Sequence, residues 1–366
     1  MKTVIVVSPA LKYGSWGWFE DIISVKSEIH WIVVAYGKKP LHEIPNVKWI
    51  CWPFGDYLKI GKFASNKYFL WVNFIYCLPA VIVAVLISII KKPDLVFANG
   101  LSIAILLRPF KIFLNCEIWV GYHGYSSWWS SPFHGILKKL LSTCTGIFCN
   151  SIQSKNDLAP FFDESKIWKI NHWADDRFFS TELTNRRKNN NELSVLYVGR
   201  TDADKFAQCA RVMKIFMNHE SFTFTIAGPK DMQHLLPKGK FVGYISDTNE
   251  LANLYNSVDI VWAPADIDYL SRPGVEALAS GTPVIISDIP AVSGKQDETV
   301  RIPRDLIPLD VGWVVDGVDD SEAISTLNNL YSKTGSIASP RVCREFAQKN
   351  FSSTNINLIF RLWGAE

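Results

Sequence analysis

Along this chain, short unbroken apolar runs alternate with polar turns and with stretches of helical spacing. Val4–Val7, Ile32–Ala35, Val47–Trp52, Ile118–Gly121 and Thr145–Ser151 read as buried strands in the first half. Leu193–Val198, Phe222–Gly228, Phe241–Gly243, Ile260–Trp262 and Thr282–Ser287 do so in the second. Strands covered on both faces carry continuous apolar runs rather than strict alternation, so the pattern predicts parallel sheets. Segments with helical character lie between them, near 18–27, at Glu250–Ser257 and over Glu345–Trp363. The alternation predicts an α/β protein. One long stretch, Thr181–Glu192 (TELTNRRKNNNE), is poor in apolar residues and reads as a linker. We therefore expect a first domain over 1–180, a linker over 181–192, a second domain over 193–345 and a terminal helix over 346–366.

The segment 258–288 carries the densest local signals. Ser271 stands just before a helix start, and Pro273 suits a first turn because its missing N–H is an orphan there anyway. Gly281 ends the helix, since glycine enters the left-handed region without steric cost. The predicted unit is strand, loop, helix, strand. Its loop meets a helix N-terminus at the carboxyl end of a strand, where open α/β sheets bind ligands. Free N–H groups and the helix dipole there favour an anion such as a diphosphate. Glu276 lies one turn inside the helix, where a buried carboxylate needs a partner; ribose hydroxyls would serve.

A different pattern occupies residues 57–90. Lys59, Lys62 and Lys67 sit among Leu, Ile, Phe and Tyr, and Leu70–Ile90 then carries no charge. That length suffices for a membrane span. Against a span stand Pro79 in mid-run and the strand-like LVFAN that follows Lys91-Lys92-Pro93-Asp94. Three readings stay open: a span, a buried helix, and a helix resting partly on lipid. The basic and aromatic flank fits an interfacial component.

Composition changes this picture little, but charge does. At 366 residues the chain is long enough for two cores. The net charge of +3 conceals an asymmetry: residues 1–180 hold 19 Lys and Arg against 12 Asp and Glu, a surplus of seven. A basic half suits an anionic surface or ligand. It has no dense Lys/Arg stripe and no nucleic-acid motif, so nucleic acid is not an expected partner. The seven cysteines include no C-x-x-C pair and read as reduced core residues of a cytoplasmic protein.

Asp268-x7-Glu276 followed by ALASGTPVI resembles the E-x7-E segment of retaining glycosyltransferase family 4, within glycosyl transferases group 1. The resemblance extends to Val198-Gly199-Arg200 with Lys205, to Phe222–Gly228, to TGIFCNS at 145–151 and to IWKINHWADDRF at 167–178. It implies the GT-B fold, two Rossmann-like domains facing each other across a cleft, with terminal helices crossing back to the first domain. It implies that Glu276 holds the donor ribose and that the backbone at Leu270 and Ser271 meets the phosphates. Gly199, Arg200 and Lys205 would clasp the diphosphate, and Asp268 would lie near the transferred sugar. Gly14 and Gly17 match the loop after the first strand, which is otherwise a plain turn. His123 matches a residue facing the donor sugar, or is a satisfied structural histidine. The sequence departs from the family at Asp268, Tyr269, Ser271, Arg272, Phe206 and His172.

The expected activity is transfer of a hexose from a nucleoside diphosphate sugar to a hydroxyl of a glycan or lipid-linked glycan, as in surface polysaccharide or lipopolysaccharide synthesis. The enzyme would need no cofactor and no metal, although Asp202-x-Asp204 and Asp266-x-Asp268 each form a D-x-D. Its partners would be the nucleotide-sugar donor, the acceptor and an anionic membrane surface, on the cytoplasmic side. The rival readings are a nucleotide-sugar 2-epimerase of the same fold and an inactive membrane-resting scaffold.

Overall fold

The computed structural model describes residues 2–8, 21–26, 28–37, 44–52, 69–122, 134–183, 192–199, 204–228, 230–264, 270–288, 306–316, 321, 324–326, 328–329 and 338–365, and of 52, 69–73, 134, 204–209, 230–232, 287–288 and 316 only the backbone. It divides into two compact units, Met1–Ile170 with Ile359–Glu366, and Asn171–Leu358.

The first unit is built on seven parallel strands: β1 Thr3–Ser8, β2 His30–Tyr36, β3 Val47–Trp52, β4 Leu95–Asn99, β5 Glu117–Tyr122, β6 Gly146–Cys149 and β7 Ile167–Lys169. Their order across the sheet is β3-β2-β1-β4-β5-β6-β7. The chain moves outward from β1 in one direction, then returns to β4 on its other side, so the order reverses between β1 and β4. Both faces of the strands are covered, and Ile5, Val6, Val7, Val33, Val34, Val96 and Phe97 are fully buried. Helix α1, Phe69–Lys91, covers one face. Its Cys77, Ala80, Val81, Ala84 and Val85 join Ile5, Val7, Ile32 and Val34 in one core. The helix runs through Pro79 without a break, so the proline weighed against a span does not interrupt it. Helix α2, Leu101–Leu107, continues into a 3-10 turn, Arg108–Phe113. Helices α3, Leu137–Leu141, and α4, Ile152–Leu158, follow.

The second unit opens with helix α5, Asp176–Ser180. Its sheet comprises β8 Leu193–Val198, β9 Phe222–Ala227, β10 Lys240–Phe241, β11 Ile260–Trp262, β12 Val284–Asp288 and β13 Gly312–Asp316, in the order β10-β9-β8-β11-β12-β13, all parallel. This is the doubly wound order, with its reversal between β8 and β11. Among the described residues, helices α6, Asp204–Met217, α7, Thr248–Asn256, α8, Arg272–Ala279, and α9, Pro340–Phe351, belong to this unit. Helix α10, Thr354–Leu362, passes from this unit into the first, where its last turn belongs.

The division falls after Ile170 rather than in the polar stretch at 181–192. The reason is packing. Ala174 and Phe178 are buried in the second core beside Tyr255 and Val275, with the Phe178 and Tyr255 rings 5.9 Å apart. The Ala174 amide also donates to the Phe351 carbonyl.

Candidate functional site

At the carboxyl edge of the second sheet, two neighbouring strands release the segments singled out from the sequence. Tyr197 of β8 lies in register with Trp262 of β11. The chain leaving β8 reaches Gly199 and then α6; the chain leaving β11 reaches Leu270, Ser271 and then α8. Both exits therefore flank the point where the strand order reverses, the position at which open α/β sheets hold ligands.

Gly199 has φ +155°, and a Cβ there would stand 3.1 Å from the Tyr197 hydroxyl. A residue without a side chain is required for the backbone to turn out of β8 here. The Gly199 amide is tied to the Ala227 carbonyl of β9. Lys205 is the second residue of α6, one position inside its N-terminus. Arg200, Asp202, Asp266, Asp268, His123, Gly14 and Gly17 lie outside the described residues, as do the side chains of Asp204 and Lys205.

Helix α8 begins as its sequence requires. Ser271 is the N-cap in an extended conformation, with Pro273 in the first turn. The Ser271 hydroxyl makes no capping hydrogen bond, so the first amides of the helix are not taken up by their own cap. At the other end Gly281 adopts φ +83°. Its amide donates to Leu278, and that of Thr282 to Ala277, closing the helix with a Schellman pair. Leu270 points its side chain into the core beside Val275 and Leu278, leaving only its backbone for any ligand.

Glu276 is 6% exposed. Its carboxylate accepts from the Tyr255 hydroxyl of α7 at Oε2 (3.0 Å) and from Arg272 Nε at Oε1 (2.8 Å). Burial raises the carboxyl above the ordinary glutamate range, and the Arg272 charge and the two donors pull the other way. Tyr255 is fully buried, and burial, followed by the Glu276 charge, pushes its hydroxyl well above the usual phenol value. Asp175, the N-cap of α5, holds Arg177 through both carboxylate oxygens, at 2.8 and 2.7 Å. That bond, chiefly, keeps its carboxyl below the usual range, with a smaller contribution from Arg272. A carboxylate offers about four lone-pair sites. With one donor on each oxygen, Glu276 retains acceptor capacity for further hydroxyls.

The structure thus brings Gly199, Leu270, Ser271, Glu276 and the start of Lys205's helix to one sheet edge. It adds two residues not counted among the site candidates. Arg272 departs from the family pattern, and its spacing of four from Glu276 is that of an intrahelical ion pair. Tyr255 had no local signal, because its partner is 21 positions away. Among the described residues, no three His, Cys, Asp or Glu side chains gather as a metal would need.

Residues 192–331 match the family model described as Glycosyl transferases group 1. An uncharacterized glycosyltransferase of Methanocaldococcus jannaschii is 29% identical over 136 residues, 33% of this chain and 35% of that protein. The glycogen synthase of Mycobacterium tuberculosis is 29% identical over 140 residues, 34% of each. The chain therefore matches about a third of the length of these curated relatives. Over 100% of both chains, the fold superposes on sucrose-phosphate synthase from Thermosynechococcus elongatus with a TM-score of 0.75 at 19% identity. Over 99% of this chain and 98% of the other, it superposes on Anabaena HepE in complex with UDP and glucose, with a TM-score of 0.71 at 16% identity. The chain is a two-domain α/β protein of GT-B fold whose residues 192–331 match the glycosyl transferases group 1 model.

Proposed function

We propose that this protein is a glycosyltransferase that moves a hexose from a nucleoside diphosphate sugar to a hydroxyl of a glycan or lipid-linked glycan. The observation that carries the reading is Glu276: a buried carboxylate with spare acceptor capacity, one turn inside a helix at the reversal point of the second sheet. Ribose hydroxyls are the donors that match it. The uncapped start of α8 then faces a diphosphate, whose negative charge suits free amides and the positive end of the helix dipole. In this reading Arg200 and Lys205 stabilise charge building on the departing diphosphate, and Asp268 attends the sugar. Two cations and a helix terminus supply the electrostatic stabilisation that a metal supplies elsewhere, so the reaction needs no metal or cofactor. Retention is what the resemblance of the Asp268-x7-Glu276 segment implies. Support also comes from the Anabaena protein of like fold, which holds UDP and glucose.

The test is a thermal-shift panel of UDP, GDP, ADP and CMP on the parent and on Glu276→Ala. A nucleotide that binds only the native state raises the midpoint by mass action. One diphosphate should raise the parent midpoint and leave the variant's unmoved, and turnover in the variant should fall roughly 10²-fold or more, as expected for loss of a charge-assisted hydrogen bond in the transition state. Equal shifts and turnover in the two folded proteins would remove Glu276 from the site. Product analysis with the preferred donor separates transfer from 2-epimerisation, which releases an isomeric sugar nucleotide, and from an inactive scaffold, which releases nothing.

A further inference from the structure

Helix α1 is apolar on both sides, and the core covers only one of them. Cys77, Ala80, Val81, Ala84 and Val85 are buried against the first sheet. On the opposite side Ile75, Leu78, Ile82, Leu86, Ile89 and Ile90 recur every three to four positions, and each is exposed, from 38% for Leu78 to 75% for Ile90. The 3-10 turn after α2 packs beside this helix and adds Ile112, 84% exposed, and Phe113. Isolated exposed apolar residues are ordinary; a continuous stripe of this length marks a binding surface. A helix apolar all round requires apolar cover all round.

The surroundings of the stripe say what that cover is. Over 69–116 and 134–142 the sequence holds Lys91, Lys92, Arg108, Lys111, Lys138 and Lys139 against one acid, Asp94. Lys91, Lys92, Lys138 and Lys139 are exposed. Asp94 is engaged in accepting the Thr3 amide. Arg108 joins the turn to α3 by donating to the Lys139 carbonyl, so the basic residues of α3 belong to the same side of the unit. An apolar stripe edged by cations fits the two layers of an anionic leaflet, acyl chains and phosphate headgroups.

We infer that the outer face of α1, with Ile112 and Phe113, docks the first unit onto an anionic lipid surface, the helix lying in the membrane plane rather than crossing it. The window Phe74–Lys91 is long and apolar enough to cross, yet 39% of it is buried inside the unit. Crossing would strip Cys77, Val81, Ala84 and Val85 out of the sheet core. Lying flat leaves them in place and buries only what is already bare. Pro79 agrees with this depth: it has no N–H for the Ile75 carbonyl, which water reaches at the headgroup level and does not reach in hydrocarbon. The surface holds whatever reaction the second unit performs.

The experiment is co-sedimentation of the full chain with vesicles of pure phosphatidylcholine or of phosphatidylcholine with phosphatidylglycerol, at low and high salt. Two variants keep folded cores because every changed residue is exposed: Lys91→Glu/Lys92→Glu, and Ile82→Ser/Leu86→Ser/Ile89→Ser. The parent should bind the anionic vesicles, weaken with salt and leave with carbonate. The charge variant should lose about fivefold or more per lysine on anionic vesicles, the factor a surface Lys contributes there. The apolar variant should lose binding at both salt concentrations. Unchanged binding in both variants, or extraction by detergent alone, overturns the inference. So does a concentration-dependent dimer abolished by the apolar variant, which would assign the face to a second copy of the chain.

Discussion

Glu276 sits between two opposed demands. The folded protein holds its proton more tightly than the unfolded chain does, so ionising it costs folding free energy. Stability therefore falls as pH rises from the unfolded glutamate range through the raised folded value, and the cost is complete above it. Arg272 narrows that window. Replacing it by leucine should push the carboxyl further up and extend the decline to higher pH, which thermal midpoints of the unliganded protein from pH 5 to 8.5 would display. Ribose needs the ionised acceptor, so the nucleotide-induced shift should shrink on the acid side in both proteins, and in Arg272→Leu the shrinkage should set in at a higher pH than in the parent. A shift that is independent of pH in both proteins would show that the guanidinium does not tune this carboxylate. Tyr255→Phe removes the other donor and should destabilise by about 1–3 kcal/mol, the cost of stranding a buried acceptor. Of these groups, Glu276 and the spacing to Arg272 were readable in the sequence. Tyr255 was not, because its contact depends on how α7 packs on α8.

Among the elements, α8 shows how far local rules reach. Ser271, Pro273 and Gly281 predict its ends, and the observed helix runs Arg272–Ala279 between them. Its closure should be sensitive at one atom. Gly281→Ala places a Cβ 2.6 Å from Leu183 and 3.0 Å from the Pro340 carbonyl, on a backbone at φ +83°. The left-handed conformation alone costs about 1–2 kcal/mol, and the close contacts add to it. Urea unfolding should move to a lower midpoint by at least that amount; an unmoved midpoint would mean that the turn relaxes freely. Helix α1 shows the limit of the same rules. Its apolar length was plain, but periodicity cannot tell which half of an all-apolar helix meets the sheet. Thiol chemistry reports the answer. Burial raises Cys77 of α1 and Cys144 of the turn after α3 to about 12. In native protein at pH 8, both should stay unlabelled by a thiol reagent while half-buried Cys51 reacts, as read by mass spectrometry. Rapid labelling of Cys77 would mean that α1 leaves the sheet.

For the whole molecule, the two parallel sheets followed from the apolar runs, whereas the division between units did not. A polar stretch marks where a chain can be a linker, but the last residues before it can still pack forward, as Ala174 and Phe178 do. The return of the chain end is similarly non-local. Trp363 is 3% exposed and lies against Trp31, Phe97 and Phe148 of the first unit, at ring distances of 6.2, 5.5 and 6.0 Å. Trp363→Ala should cost about 3–5 kcal/mol, the usual cost of removing a buried aromatic, and it should appear in the first unit's unfolding. A loss below 1 kcal/mol would make the contact incidental. The same contact sets an order of events during synthesis. Residues 1–170 leave the ribosome first, yet their core lacks an aromatic plug until residue 363 has been made. The earlier-made half is thus the later to reach its final stability. Until then it waits with bare apolar surface at both its core and the outer face of α1, which makes the nascent chain a client for a chaperone or for the membrane itself.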